Sequence, residues 1–114
     1  MHMNDIDQLF ELKYLLGSIV RGDEKDPVMQ VPQLHALVLR LDLNPDLEDE
    51  NCNVFLSIDS ELREFPIDPG FRSRCHPEFL GRMDSELLEL KQLYGKSVVE
   101  ACEKLYKRIE KLEI

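Results

Sequence analysis

The sequence lacks tryptophan, and its apolar runs, such as residues 54–56, span only a few residues. A transmembrane helix needs about 20 consecutive apolar residues, so we expect none here. The first residues also lack the basic and apolar regions of a leader peptide. We therefore expect no secretory signal, and we interpret residues 1–3 as including vector-derived residues.

Cysteine is scarce: Cys52, Cys75 and Cys102 stand far apart, with no CxxC or CxxH pair among them. An odd number of widely spaced cysteines is typical of free thiols in a reducing compartment, not of a disulfide framework or a zinc site. We therefore expect a cytoplasmic protein without a structural metal.

Basic residues are outnumbered, with 14 Lys and Arg against 23 Asp and Glu and a formal net charge of −9. Such a charge argues against binding to DNA or RNA, because phosphates would be repelled. Glycine-rich phosphate loops, GxSxG elbows, EF-hand loops and HExxH sequences are also missing. The sequence thus predicts neither a cofactor nor a catalytic site, and we expect a non-enzymatic protein.

What the sequence does contain is helical periodicity within a length that suits one domain, 1–114. Apolar residues recur every three or four positions from Leu9 to Val20, and again from Leu34 to Leu41 after Pro32. The longest such stripe consists of Leu80, Met83, Leu87, Leu90, Tyr94, Val98, Ala101, Leu105, Ile109 and Leu112. The pattern predicts an all-α, four-helix bundle-like domain with a long C-terminal helix, whose stripe we interpret as core.

Residues 53–58 allow two interpretations. The run from Val54 to Ile58 has the composition of a short buried strand, which would give an α+β fold with a small hairpin near 53–58. The same residues also begin one helical face that continues through Leu62 to Phe65. We favour the helix, because the match to helical spacing persists over more residues.

Several residues in the long helix or just before it predict local features of the structure. Gly81 predicts a bend or a break, with Asp84 as N-cap if the helix breaks there. Gly95 fits either a close helix crossing or a surface position where a glycine is tolerated. In the preceding loop, we expect Phe71 to fill part of the core. Arg72, Arg74 and Arg82 could hold an anion or phosphate, but we favour the interpretation that they tether this loop to neighbouring carboxylates.

Cys75 and His76 raise the question of a nucleophilic pair. Such a pair needs its two side chains to face each other, which adjacent residues rarely achieve. We therefore favour loop packing or solvent exposure for both residues.

The acidic segment, residues 42–64, holds eight acidic side chains and one basic one, a net charge of −7. It is either a solvated stretch with acids near a helix N-terminus or an electrostatic docking surface for a basic partner. Asp59 and Arg63 are spaced to pair along a helix. The expected contact residues are Asp46, Glu48, Asp49, Glu50, Asp59 and Glu61.

The second half of the chain resembles a pattern found in small uncharacterised bacterial proteins. The resemblance rests on residues 58–61 (Ile-Asp-Ser-Glu), Pro66, Arg72 and residues 77–80 (Pro-Glu-Phe-Leu), with Asp84 and Glu86 beyond them. An aromatic residue tends to stand at the position of Cys75 in those proteins. The pattern carries no catalytic assignment.

In size, acidity and helical build, the chain resembles bacterial toxin-immunity proteins of the colicin and contact-dependent inhibition type. The resemblance implies a cytoplasmic protein that binds a cognate, usually basic, nuclease toxin and occludes it. We therefore predict a protein partner that is basic, and neither a nucleic acid nor a membrane. The alternative is a helical regulatory or adaptor subunit that can form a homodimer through the long helix.

Overall fold

The computed structural model describes residues 3–41 and 50–112, and side-chain surroundings within 6–41 and 54–111. The elements are α1 (Met3–Val20), a 3-10 turn (Pro27–Gln30), α2 (Val31–Arg40), α3 (Glu50–Leu62), α4 (Pro69–Arg72) and α5 (Pro77–Leu112). Both described ranges contain helices and no strand, which confirms the all-α prediction and the long C-terminal helix. Residues 53–58 lie inside α3, so the alternative of a hairpin is wrong.

One glycine and two prolines determine the backbone path that connects α1 to α2. Gly22 has a φ of 82°, a conformation that L side chains rarely adopt, and it lies directly beyond the end of α1. Pro27 then opens the 3-10 turn, and Pro32 lies in the first turn of α2, where a missing N–H costs nothing.

The hydrophobic core lies where α1, α2 and α3 pack together and α1 and α3 cover the C-terminal half of α5. Each large core side chain contributes about 1.5–3 kcal/mol through its removal from water. The largest fully buried side chains are Phe55, Leu12, Leu16, Leu34, Leu37, Ile58, Leu62, Leu105, Ile109, Val28 and Val31.

The two halves of α5 differ in burial. The helix has 36 residues and is therefore about 54 Å long, whereas α1 has only 18. Its fully buried residues begin at Val98, while Leu88 and Leu93 are 57% and 70% exposed. Leu88 and Leu93 lie outside the predicted stripe, whereas the stripe residues Leu87, Leu90 and Tyr94 are partly buried and pack against the core. The prediction that the stripe is core is thus confirmed from Leu87 to Ile109, with complete burial only from Val98 onward.

The first half of α5 runs without a break from Pro77, so Gly81 does not interrupt it and Asp84 is not its N-cap. The residue before the helix is His76, whose Nδ1 accepts a hydrogen bond from the backbone N–H of Glu78 at 3.1 Å. Within the described ranges, no atom beyond the neighbouring backbone would lie within 4 Å of a Cβ at Gly95. The close crossing is therefore the wrong interpretation of Gly95.

Candidate protein-binding surface

The structure places the predicted contact residues in three different settings. Asp46, Glu48 and Asp49 lie outside the described residues, and Glu50 is the first residue of α3, with its side chain outside the described surroundings. Glu61 is exposed near the end of α3. Asp59, two residues earlier, points toward α2, and its carboxylate is only 13% exposed.

Asp59 forms a pair with His35 of α2. The Nδ1 atom of His35 lies 2.9 Å from Oδ2 of Asp59, where the ring N–H donates to the carboxylate. His35 is 9% exposed, so this bond satisfies a polar ring that is otherwise surrounded by protein. The predicted pairing with Arg63 is confirmed, at 3.6 Å from the same oxygen. Asp59 therefore joins α2 to α3 and offers little free carboxylate surface.

The sequence carries a signal for this role of Asp59. Phe55, Asp59 and Leu62 are four and three residues apart, which puts all three on one face of α3. Because Phe55 and Leu62 are buried, an acid between them has to find a partner inside the fold. The identity of that partner is not visible in the pattern, since His35 is 24 residues away.

Two further acids extend the exposed negative charge beyond the predicted set. Glu64 and Asp68 are both exposed, in the stretch that leads from α3 to α4. Together with Glu61 they form what we call the acidic surface. Asp68 has a structural role as well, because its Oδ2 accepts a hydrogen bond from the backbone N–H of Phe71 at 2.9 Å and so caps α4.

The stretch after α3 is fixed to α5 by Arg72. Its Nη1 and Nη2 atoms donate to Oδ1 and Oδ2 of Asp84, both at 2.8 Å, and Nη1 also donates to the carbonyl of Pro66 at 2.9 Å. The hydrogen bond from Arg72 lowers the pKa of Asp84, and the same bond raises the pKa of Arg72. The prediction that Arg72 tethers this loop to a carboxylate is confirmed.

A groove of about 400 Å³ opens beside the acidic surface, between the start of α2, the end of α3 and the stretch that Arg72 holds. Its apolar walls are Pro32, Leu62, Phe65, Pro66, Ile67 and Phe71. Ile67 and Phe71 are 45% and 48% exposed. Phe71 therefore lines the groove, and the prediction that it fills part of the core is wrong, because the α4 turn directs it outward.

The cysteines and His76 make no nucleophilic arrangement in the described part of the chain. The thiol of Cys75 lies 3.4 Å from the carbonyl of Phe71, whereas His76 accepts from the backbone of Glu78. Burial raises the pKa of the Cys102 thiol to about 12, so this thiol stays protonated at neutral pH.

Two further features, a metal site and a membrane-spanning helix, are absent from the described residues. Within these ranges, no three His, Cys, Asp or Glu side chains cluster as metal ligands. None of the described helices combines the length and the apolarity needed to cross a bilayer. Comparison with protein-family models, curated proteins and solved structures gave no match to the chain.

Proposed function

We propose that this chain is a non-enzymatic binding protein, and specifically an immunity protein that neutralises a cognate bacterial nuclease toxin by binding and occluding it. Occlusion needs a rigid surface that is complementary to the partner, and it needs no chemistry from the chain itself. A nuclease toxin has a basic surface for its nucleic-acid substrate, and an acidic protein competes for that surface.

The observation that carries the proposal is the concentration of negative charge in one stretch of the sequence. The acidic segment holds a net charge of −7 out of −9 for the whole chain. In its described part, Glu61 and Glu64 are exposed at the end of a helix that is anchored by buried Phe55 and Leu62. Fixed charges of one sign raise the rate at which an oppositely charged partner associates.

Charge reversal tests the proposal. We expect the triple variant Glu48→Lys, Asp49→Lys, Glu61→Lys to associate with the proposed toxin partner at least about tenfold more slowly than the parent chain. The salt dependence of the association rate should become weaker at the same time, because fewer opposite charges face each other. Stopped-flow fluorescence at several ionic strengths measures both quantities.

A second triple variant controls for net charge. Glu100, Glu103 and Glu110 are exposed on α5, and their reversal to Lys changes the net charge by the same amount as the first triple variant. We expect a clearly smaller decrease in association rate. Equal decreases in both variants would show that only the net charge matters, and unchanged rates in the first variant would refute the acidic docking surface.

The exposed leucines of α5 favour the second candidate function, a homodimeric adaptor. Leu88 and Leu93 are 57% and 70% exposed in the first half of the helix, and buried apolar side chains are what stabilises a permanent dimer. The immunity proposal predicts a monomer of 13.3 kDa. Size-exclusion chromatography with light scattering decides between them, since a stable mass of twice that value would support the adaptor.

A further inference from the structure

We infer that the groove beside the acidic surface holds a large apolar side chain of a protein partner, in a segment where lysines or arginines flank that side chain. The inference rests on the proposed function and adds the chemistry of the partner's contacting segment. The groove supplies the anchoring contact, and the carboxylates around it attract the basic residues of the partner.

The walls of the groove suit an apolar anchor. Leu62 and Pro66 are buried at its base, and Ile67 and Phe71 present roughly half of their surface to solvent. The volume of about 400 Å³ lies within the range of about 300–1,000 Å³ that is usual for binding pockets. An aromatic or large aliphatic side chain placed there would cover apolar surface that now faces water.

The groove is also held in shape before anything binds. Asp68 caps α4 through the N–H of Phe71, and Arg72 joins this stretch to Asp84 and to the carbonyl of Pro66. Because these contacts already order the wall that carries Phe71, an incoming side chain meets a site with little left to organise. Such preorganisation lowers the entropy cost of binding.

The charge around the groove selects the flanking residues of the partner segment. Asp59 and Asp68 line it together with Arg63, and Asp59 is already paired with His35 and Arg63. Asp68 is exposed, and Glu64 is exposed directly after Arg63 in the sequence. These exposed carboxylates, on a chain with a net charge of −9, favour lysine or arginine on either side of the anchor.

The same charge disfavours other occupants. A second copy of the chain would bring a further net charge of −9 against these carboxylates. An anionic membrane surface would be repelled for the same reason. A basic protein segment with an apolar anchor is the occupant whose chemistry matches both the walls and the rim.

Three blocked pentapeptides test the inference by NMR titration of the ¹⁵N-labelled chain. The probe is Lys-Lys-Phe-Lys-Lys, and the matched peptides are Lys-Lys-Ser-Lys-Lys and Glu-Glu-Phe-Glu-Glu. We expect the first to shift the amides of Leu62, Ile67 and Phe71 saturably. The serine peptide should bind at least about fivefold more weakly, because it lacks the anchor, and the glutamate peptide should not bind.

Two variants locate the contact. Phe71→Ser should lower the affinity for Lys-Lys-Phe-Lys-Lys to that of the serine peptide. Leu93→Ser removes a side chain that is 70% exposed and lies outside the groove, and it should leave the affinity unchanged. Circular dichroism establishes that both variants are folded.

Each contrary result has a distinct meaning. Equal affinity for the phenylalanine and serine peptides would overturn the anchor in the groove and leave the acidic docking surface standing. Binding of neither lysine peptide at low salt would contradict the proposed function as well. Binding of the glutamate peptide, or concentration-dependent shifts at Ile67 and Phe71 without peptide, would overturn the assignment to a basic segment.

Discussion

Replacement of Leu105 by alanine is expected to lower the free energy of unfolding by about 2–5 kcal/mol. Leu105 is 1% exposed and lies in the half of α5 that α1 and α3 cover. Truncation removes apolar contacts and leaves a cavity that the surrounding helices fill only in part. Urea denaturation followed by circular dichroism measures the loss.

Leu93→Ala is the matched control on the same helix. Leu93 is 70% exposed, and leucine and alanine both favour helices, so the expected change lies within about 0.5 kcal/mol. If both variants were destabilised alike, the exposed side of the first half of α5 would have to pack against something in solution. A dimer through that half would then be the explanation.

Asp59→Ala is expected to lower the free energy of unfolding by about 1–3 kcal/mol, because it leaves the buried ring of His35 without its hydrogen-bond partner. The Nδ1 to Oδ2 distance is 2.9 Å, and the two side chains are only 11% and 13% exposed. Asp59→Asn should lose less, since an amide oxygen can still accept from the ring. Denaturation at neutral pH measures the three proteins side by side.

Glu61→Ala provides the comparison from the same predicted contact set. Glu61 is exposed, so its removal should change stability by no more than about 0.5 kcal/mol, whereas it should slow association with a basic partner. If Asp59→Ala proved as stable as Glu61→Ala, the pair with His35 would not hold α2 to α3. Asp59 would then be available for docking like its neighbour.

The positions of most helices could be predicted from the sequence, because the spacing of apolar residues shows which side of a segment is apolar. The buried faces of α1, α2 and α3 include Leu16, Leu37 and Phe55 at the predicted spacing. The limit of such patterns appears in α5. Leu87 and Leu105 belong to the same stripe, yet Leu87 is partly buried and Leu105 fully buried, since the depth of burial depends on which other elements pack against each half of the helix.

The missed contacts share one physical cause: they join residues that are distant in the sequence. His35 and Asp59 are 24 residues apart, and Lys91 bonds Asp26 over 65 residues at 2.9 Å. The sequence shows that a polar residue lies on an apolar face, but it does not identify the residue that forms a hydrogen bond with it. Arg72 was predicted to find a carboxylate, but the choice of Asp84 required the helix to continue through Gly81.

Only the negative charge of the candidate surface could be predicted from the sequence. The net charge of the acidic segment follows from counting residues, and it predicts a docking surface within residues 42–64. The groove required the fold, because Pro32 and Phe71 come from segments that are well separated in the sequence. Whether Asp46, Glu48 and Asp49 contact a partner stays a prediction.

The two hydrogen bonds from Arg72 to Asp84 attach the wall of the groove to the first half of α5. Asp84 lies 14 residues before Val98, where full burial begins, a distance of about 21 Å along the helix axis. Between the two residues, Lys91 bonds Asp26 at 2.9 Å, and Leu87, Leu90 and Tyr94 pack against the core, so this half of α5 is itself held in place. Since Arg72 donates to both carboxylate oxygens of Asp84, the wall that carries Phe71 is positioned by α5. The shape of the groove thus depends on a helix that contributes none of its lining residues.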